Sequence, residues 1–344
     1  SKTGPGIGKT EILRAYFPNL EELFFEVEEE QEVALDTFED MNQSIDELKE
    51  IYEEISQDIL KEETGWEQKK EAIEMAEELQ EIAEKIEALD ETIKTIEELN
   101  EKNDLINETL GEKIEELQKM IQESLSPEFM QALQKLQENI NENDFKKSIE
   151  ELNNLEFEMN DLEQQLDRML DLFEQIVIEQ KLEEITKKIQ EMENFQKNVT
   201  EKIEENVNNR NIDPMINKQN NNLENLEKIM EEAESLITKN DEELSKDIES
   251  VRTGDIPIEI KKDMEEILSD KTNDQKSMKK NSNDIENNIE KLKEKMDSII
   301  SSYKEKEKLE MLTKYIRIIK NLIDMSYEQE LIINQSVNIK SKKD

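Results

Sequence analysis

Residues 20–59 read LEELFFEVEEEQEVALDTFEDMNQSIDELKEIYEEISQDI, and this stretch decides the fold. Alternating steps of four and three land on Leu20, Phe24, Val27, Gln31, Ala34, Phe38, Met41, Ile45, Leu48, Tyr52, Ile55 and Ile59. Eleven of these twelve are apolar, in a chain that is 34% hydrophobic and would place about four there by chance. A 3.5-residue period gathers them on one narrow stripe of a helix, the seam along which helices wind around each other. The expectation is long helices that pair side by side. The pattern announces no reaction.

Outward from this stretch, composition agrees. Charged residues make up 39% of 344 residues and aromatics 4%, with six Gly and five Pro. So few breakers leave room for few turns, and so many charges leave little to fill a thick core. Both fit an elongated helical rod that buries a seam rather than a centre. Disorder is the competing reading of such a composition; the ladder outweighs it up to about Asn209 and competes less well beyond.

The formal net charge is −44 and unevenly spread. Residues 21–100 hold 30 acidic against 6 basic residues, whereas residues 271–344 hold 13 acidic against 16 basic. An acidic front half repels nucleic acid and anionic lipid, because phosphate binding needs clustered Lys and Arg. In the basic tail Lys alternates with Glu and dilutes the field, so attraction between tail and front, within a molecule or between molecules, is the more economical idea. The absence of Cys excludes a disulfide framework. No stretch approaches 18 apolar residues, so direct membrane insertion of this segment is not expected. The chain opens at Ser1 with neither an initiator Met nor a signal-peptide pattern, which reads as a segment of something larger.

The breakers set the expected organisation. Residues 1–18 hold three of the six Gly, and Thr10 to Phe17 alternates as a strand does, which suggests a loop and the terminal strand of a truncated upstream β domain. Asn19, with Glu22 three residues on, caps a first helix running to about Glu63. After a break at Thr64-Gly65, a second helix carries Leu79, Ile82, Ile86, Leu89, Ile93 and Ile96. Its pattern slips through Leu99, Asn103, Ile106 and Leu110 before Ile114, Leu117 and Ile121 restore it, as a stammer and stutter would. Ser126-Pro127 stops and restarts the chain. A short helix follows on Met130, Leu133, Leu136 and Ile140, then a turn at Asn141–Asn143.

The longest helix is expected from about Asp144 to Asn209, ended at Pro214, with another from about Met215 to Ser250. The expected regions are thus 19–125 and 126–210 as two long-helix coiled-coil regions, 211–252 as a helical segment, 253–284 as a partly disordered linker and 285–344 as a C-terminal helix. Hinges are expected at Gly65, Pro127, Asn143, Pro214 and Gly254–Pro257. The fold class is all-α, an elongated antiparallel coiled-coil rod of helical hairpins with a short N-terminal strand remnant.

Candidate chemistry is sparse. Gly4-Pro5-Gly6-Ile7-Gly8-Lys9-Thr10 invites a phosphate-loop reading, which needs a Gly five residues before Gly8; that position is Thr3. The residues that follow alternate like a strand instead of opening a helix, so a plain loop is the better reading. Acidic runs such as Glu28-Glu29-Glu30 and Glu62-Glu63 suit a solvated helix face, since consecutive helical side chains diverge and cannot converge on a cation. There is no His, which removes histidine bases, Ser-His-Asp triads and Glu-x-x-His di-iron sites. Zinc lacks both of its usual soft ligands. A glycosidase-like carboxylate pair would need a concave pocket, which a thin rod lacks. Met120, Met130, Met159, Met169 and Met192 read as core filling. Asn103 reads either as a register-fixing seam amide or as a polar group beside water at the slip. Trp66 is expected to pack a helix start against a neighbour.

Four stretches carry a resemblance. They are Phe17-Pro18-Asn19-Leu20-Glu21-Glu22-Leu23-Phe24, Trp66-Glu67-Gln68-Lys69-Lys70, Leu166-Asp167-Arg168-Met169-Leu170-Asp171-Leu172-Phe173 and Asn321-Leu322-Ile323-Asp324-Met325-Ser326-Tyr327-Glu328-Gln329-Glu330. In their order the chain resembles a bacterial family of large membrane-anchored proteins of unknown function, domain-of-unknown-function family forty-one seventy-five. The resemblance implies transmembrane helices and β-sandwich-like modules upstream, and it offers no catalytic residue to transfer. The expected function is therefore a structural scaffold that engages protein partners or self-associates through helix seams, membrane-associated through an upstream anchor, with no nucleic acid, cofactor, metal or catalytic residue assigned. A chaperone-like client binder is the alternative, and a nucleotide-dependent motor or clamp, marked by protection of Lys9, a remote one.

Overall fold

The computed structural model describes residues 21–60, 66–103, 105–141, 145–205, 209–238, 241–269 and 275–340. Among the described residues the fold is all-α, with nine helices and no strand: α1 Glu21–Leu60, α2 Trp66–Lys102, α3 Glu108–Ser124, α4 Pro127–Asn141, α5 Phe145–Glu204, α6 Asn209–Ile237, α7 Glu242–Arg252, α8 Asp255–Ser269 and α9 Gln275–Lys340. None of these helices is long and apolar enough to cross a membrane. The chain divides into two compact units, Ser1–Lys181 and Leu182–Asp344, so the division falls inside α5 and not at the expected boundaries near 125 and 210.

In the first unit the four-three ladder of α1 is the buried face. Val27, Ala34, Phe38, Met41, Ile45, Leu48 and Ile55 are fully buried, and Tyr52 packs against the same core half-buried. α2 lies antiparallel to α1, since Asp40 pairs with Lys85 at 2.8 Å while Ser44, further along, donates to Glu78 at 2.9 Å. The first part of α5 is antiparallel to α1 as well: Gln31 meets Gln180 and Lys49 meets Glu163. Between those two ties the Phe38 and Phe173 rings stack tilted, with centroids 5.7 Å apart. The expected second seam, Leu79 through Ile96, is buried throughout. Each such side chain contributes roughly 1.5–3 kcal/mol of burial, so the long seam supplies the hydrophobic stabilisation.

The slip expected within one long helix is a break. α2 ends at Lys102, residues 105–107 are not helical, and α3 starts with Asn107 as its cap, the side chain accepting from the Leu110 N–H at 3.0 Å. A backbone bond from the Leu105 N–H to the Asn100 carbonyl at 3.0 Å closes the corner. The extra residues that look like a stammer and stutter let α3 fold back on α2, with Gln118 donating to Glu97 at 2.7 Å. The restart at Ser126-Pro127 is as expected: Ser126 Oγ accepts from the Phe129 N–H at 2.9 Å, and Pro127 opens α4. Phe129, not Met130, supplies the first buried rung there, since Met130 is exposed.

The second unit departs further from the expected boundaries. Pro214 does not end a helix; it sits inside α6. The Pro costs one helical hydrogen bond, and Ile212 and Ile216 on either side of it are both fully buried, which offsets that loss. The single helix expected from Met215 to Ser250 is two, because Asp241 caps α7 by accepting from the Leu244 N–H at 3.1 Å. Arg252 then reaches back to Glu234 with two bonds, 2.6 and 2.9 Å, closing an antiparallel α6–α7 hairpin.

Residues 253–284, expected as a linker, hold α8 and the start of α9. Gly254 sits where an added Cβ would meet the Ser250 carbonyl oxygen at 2.6 Å. Pro257 lies in the first turn of α8, where no N–H is needed. Its partners on the buried face are Ile260, Met264 and Ile267, at helical spacing despite the thin apolar content. α9 begins ten residues before the expected Ile285 and is antiparallel to the second part of α5, with Glu193–Lys293 at 2.9 Å and Glu204–Lys279 at 2.6 Å. The strand expected at Thr10–Phe17 and the break at Thr64-Gly65 lie outside the described residues.

Candidate functional site

The least conventional chemistry in the first unit is a buried polar cluster at the α2–α3 corner. It grows out of the one non-apolar rung of the ladder. Gln31 occupies a seam position of α1 and is 4% exposed. Facing it, α5 runs Ile176-Val177-Ile178-Glu179-Gln180-Lys181, every residue of it buried. Three consecutive apolar residues break the seam period, which is what a helix surrounded on all sides requires.

Gln31 Nε2 donates to Gln180 Oε1, and the same oxygen accepts from Asn100 Nδ2 at 3.1 Å. Three amides from α1, α2 and α5 thus share one acceptor in a dry interior. Beside them Lys113 of α3 pairs with Glu179 of α5 at 2.9 Å, their side chains 12% and 2% exposed. Asn103 is also buried, its N–H bonded to the Leu99 carbonyl at 3.0 Å as the last turn of α2 closes. The Asn100 Oδ1 atom is buried and receives no hydrogen bond. Taking such groups out of water costs about 1–3 kcal/mol each unless they are paired. A cluster assembled from four helices is met only when all four are in one register, so it acts as a key for register.

The second unit has an analogous layer. Gln196 Nε2 donates to Ser282 Oγ at 3.0 Å, Thr200 Oγ and Ser282 Oγ are 2.9 Å apart, and Thr200 donates to Glu286 at 3.2 Å. Gln219 of α6 donates to the Met192 carbonyl of α5 at 2.8 Å. Gln196, Gln219 and Ser282 stand on rungs, three or four residues from buried apolar neighbours, and Thr200 is buried beside the rung at Val199.

Electrostatics elsewhere are those of crowded carboxylates. Burial, together with repulsion from Glu163, Asp171 and Asp46, raises the Asp167 carboxyl above its ordinary range, with Lys49 opposing. Burial and the neighbouring Asp284 and Glu266 raise Asp263 likewise. Hydrogen bonds from Lys197 and Lys293 hold Glu193 low. Burial pushes Asp241 up, but the Lys306 hydrogen bond and the Leu244 N–H outweigh it and hold the carboxyl low.

One groove of about 510 Å³ opens between α2 and α4, lined by Gln80, Pro127, Met130, Gln131, Leu133 and Gln134 among others. Its lining offers amides and apolar groups, with no acid, base or nucleophile. The acidic run at Glu28-Glu29-Glu30 includes an exposed Glu29, and among the described residues no group of three or more carboxylates could hold a metal ion. The loop from Gly4 to Thr10, with Lys9, lies outside the described residues, as do Glu62, Glu63 and the Trp66 side chain. Asn103 is buried at the helix break, and Met159, Met169 and Met192 fill the core while Met120 packs against it. Asn100, Lys113, Glu179 and Gln180 were not legible as a site; the run Ile176-Val177-Ile178 was the available signal.

No family model, curated protein or solved structure matches this chain.

Proposed function

We propose that this chain is a scaffold: a rod of antiparallel coiled-coil hairpins from a membrane-anchored bacterial protein, working by binding protein partners or further copies of itself. The single observation that carries this reading is the α1 ladder, buried rung by rung against α2 and α5 and keyed by Gln31, Asn100 and Gln180. Helices such as α1 and α2, which commit their apolar rungs to a long seam and most of their carboxylates to water, are built to hold distance and present charged faces. The membrane anchor belongs to the reading through the family resemblance alone.

Solution X-ray scattering of the whole chain tests the rod. The 66 residues of α9 extend roughly 100 Å at 1.5 Å per residue, and a rod of that length has a radius of gyration of about 29 Å. A compact 344-residue chain would give about 20 Å. The higher value is expected, and the lower one would overturn the proposal.

A further inference from the structure

α9 changes the side on which it is apolar. In its first half Ile285, Ile289, Leu292, Met296 and Tyr303 are buried at the seam spacing. Continued by the same threes and fours, that seam lands on Lys306, Glu310, Thr313, Arg317, Lys320 and Asp324, all polar. The apolar residues have moved to the other side. Between 309 and 327 there are eleven large apolar side chains, each more than half exposed, among them Leu312, Tyr315, Ile316, Ile319, Leu322 and Ile323.

At about 100° per residue these eleven fill an arc of about 200°, interrupted only by Ser326. A coiled-coil seam is much narrower. At roughly 100 Å² exposed per side chain the face amounts to about 1,100 Å², against the 300–600 Å² of the largest patch on a typical monomer. The charges are sorted around it. Lys314 and Lys320 stand about 20° outside the two edges of the arc, while Glu310 lies toward the middle of the polar face beside Arg317. The alternation of Lys and Glu along the chain is undone by the helix, which puts cations at the margins and acids away from them.

We propose that residues 309–327 lie flat on an anionic lipid surface, apolar face in the acyl boundary, with Lys314 and Lys320 reaching the headgroups. The charge arrangement argues against a second copy as occupant. Two such faces laid together would bring lysine margins against lysine margins. The other exposed large apolar residues, Val33, Met130, Leu236, Ile258 and Leu268, are scattered and form no matching face among the described residues. The acidic remainder of the chain weakens attraction to the lipid only within a Debye length of about 8 Å. This inference is independent of the scaffold reading and stands or falls without it.

Flotation of the whole chain with vesicles tests it, using phosphatidylcholine alone and phosphatidylcholine with about a third phosphatidylserine. Binding to the anionic vesicles is expected, much weaker on the neutral ones and weakened by salt. K314Q/K320Q is expected to lower partitioning about 30-fold, at roughly 1 kcal/mol per cation near the surface. I316D/I319D is expected to abolish binding. These side chains are exposed, so both variants keep the far-ultraviolet circular dichroism of the parent, which is measured alongside. No binding of the parent to anionic vesicles, or unchanged binding by I316D/I319D, would overturn the proposal. So would a dimer in sedimentation velocity that I316D/I319D dissociates while the parent ignores lipid, which would give the face to a second copy. Tight binding of an acidic amphipathic peptide by a parent that ignores both kinds of vesicle would assign the face to a protein.

Discussion

Replacing Gln180 with Leu removes one atom's worth of chemistry and leaves the volume nearly constant. Gln180 Oε1 is the acceptor for both Gln31 Nε2 and Asn100 Nδ2, in residues 1%, 4% and 0% exposed. Two buried donors lose their partner at about 1–3 kcal/mol each. Burying a Leu there returns about 1–2 kcal/mol, and no cavity opens because the side chains are similar in size. At the midpoints, about 4 kcal/mol lost against about 1.5 regained, the net loss is about 2.5 kcal/mol. Urea unfolding is followed by hydrogen exchange at α1 and α2 amides, since two units need not unfold together. A loss below about 1 kcal/mol would refute the account of the cluster. The triple variant Gln31→Leu/Asn100→Leu/Gln180→Leu is expected to regain that stability, as apolar replacement of a whole buried polar set often does. What it loses is register. The chain has no Cys, so a Ser44→Cys/Glu78→Cys pair reports the α1–α2 register without interference. Its cross-linking yield is expected to fall in the triple variant; an unchanged yield would mean the amides do not set register.

Phe38→Ala deletes a fully buried ring stacked on Phe173 and is expected to cost about 3–5 kcal/mol in urea unfolding. Glu234→Gln leaves the two-bonded Arg252 without its carboxylate and is expected to cost about 1.5–3 kcal/mol, seen as faster amide exchange in α7. Gly254→Ala sets a Cβ 2.6 Å from the Ser250 carbonyl oxygen and is expected to lower the melting temperature of the second unit. The raised carboxyls of Asp167 and Asp263 bind a proton more tightly folded than unfolded, so they cost stability above their folded values, and that cost is relieved as pH falls through the folded values toward the unfolded ones. Glu193 and Asp241 are held low, so what they contribute is present above their unfolded values and lost only as pH falls further, through their folded ones. A parent-like profile of melting temperature against pH in Asp167→Asn would contradict this.

The seams were legible and the corners were not. Every described side chain on the α1 ladder except Gln31 was chosen by apolarity alone, and all but half-buried Tyr52 are buried. Periodicity reads that link well because burial of one stripe is what the period encodes. Corners depend on capping, which one side chain decides. Asn107 and Asp241 each open a new helix by capping alone, with no Pro within ten residues of either. Pro214 shows the reverse, a breaker overruled by flanking isoleucines that need to stay on one face. The stretch from 253 to 284 was misread because Asn281 and Ser282 occupy buried positions that a count of apolar residues scores as empty. The candidate cluster was half legible: Gln31 was visible as the exception, but its partners lie 69 and 149 residues away, beyond the reach of local pattern.

That distance explains why polar rungs are placed where they are. An apolar ladder of constant period pairs almost as well after sliding one heptad, because each Leu or Ile meets another of similar shape. Hydrophobic burial therefore fixes that helices pair and leaves open how far along. Sliding α1 by seven residues would bring Phe24 to the position of Gln31 and Gln31 to the apolar position where Phe38 now packs on Phe173, leaving Gln180 without its Gln31 donor. The penalty is the lost Gln31–Gln180 bond and a Gln31 amide buried without a partner, about 1–3 kcal/mol for that group, while the Asn100–Gln180 bond between α2 and α5 persists. The second unit repeats the device with Gln196, Thr200 and Ser282. In both units specificity comes from the few residues that break the pattern, and the stability from the many that keep it.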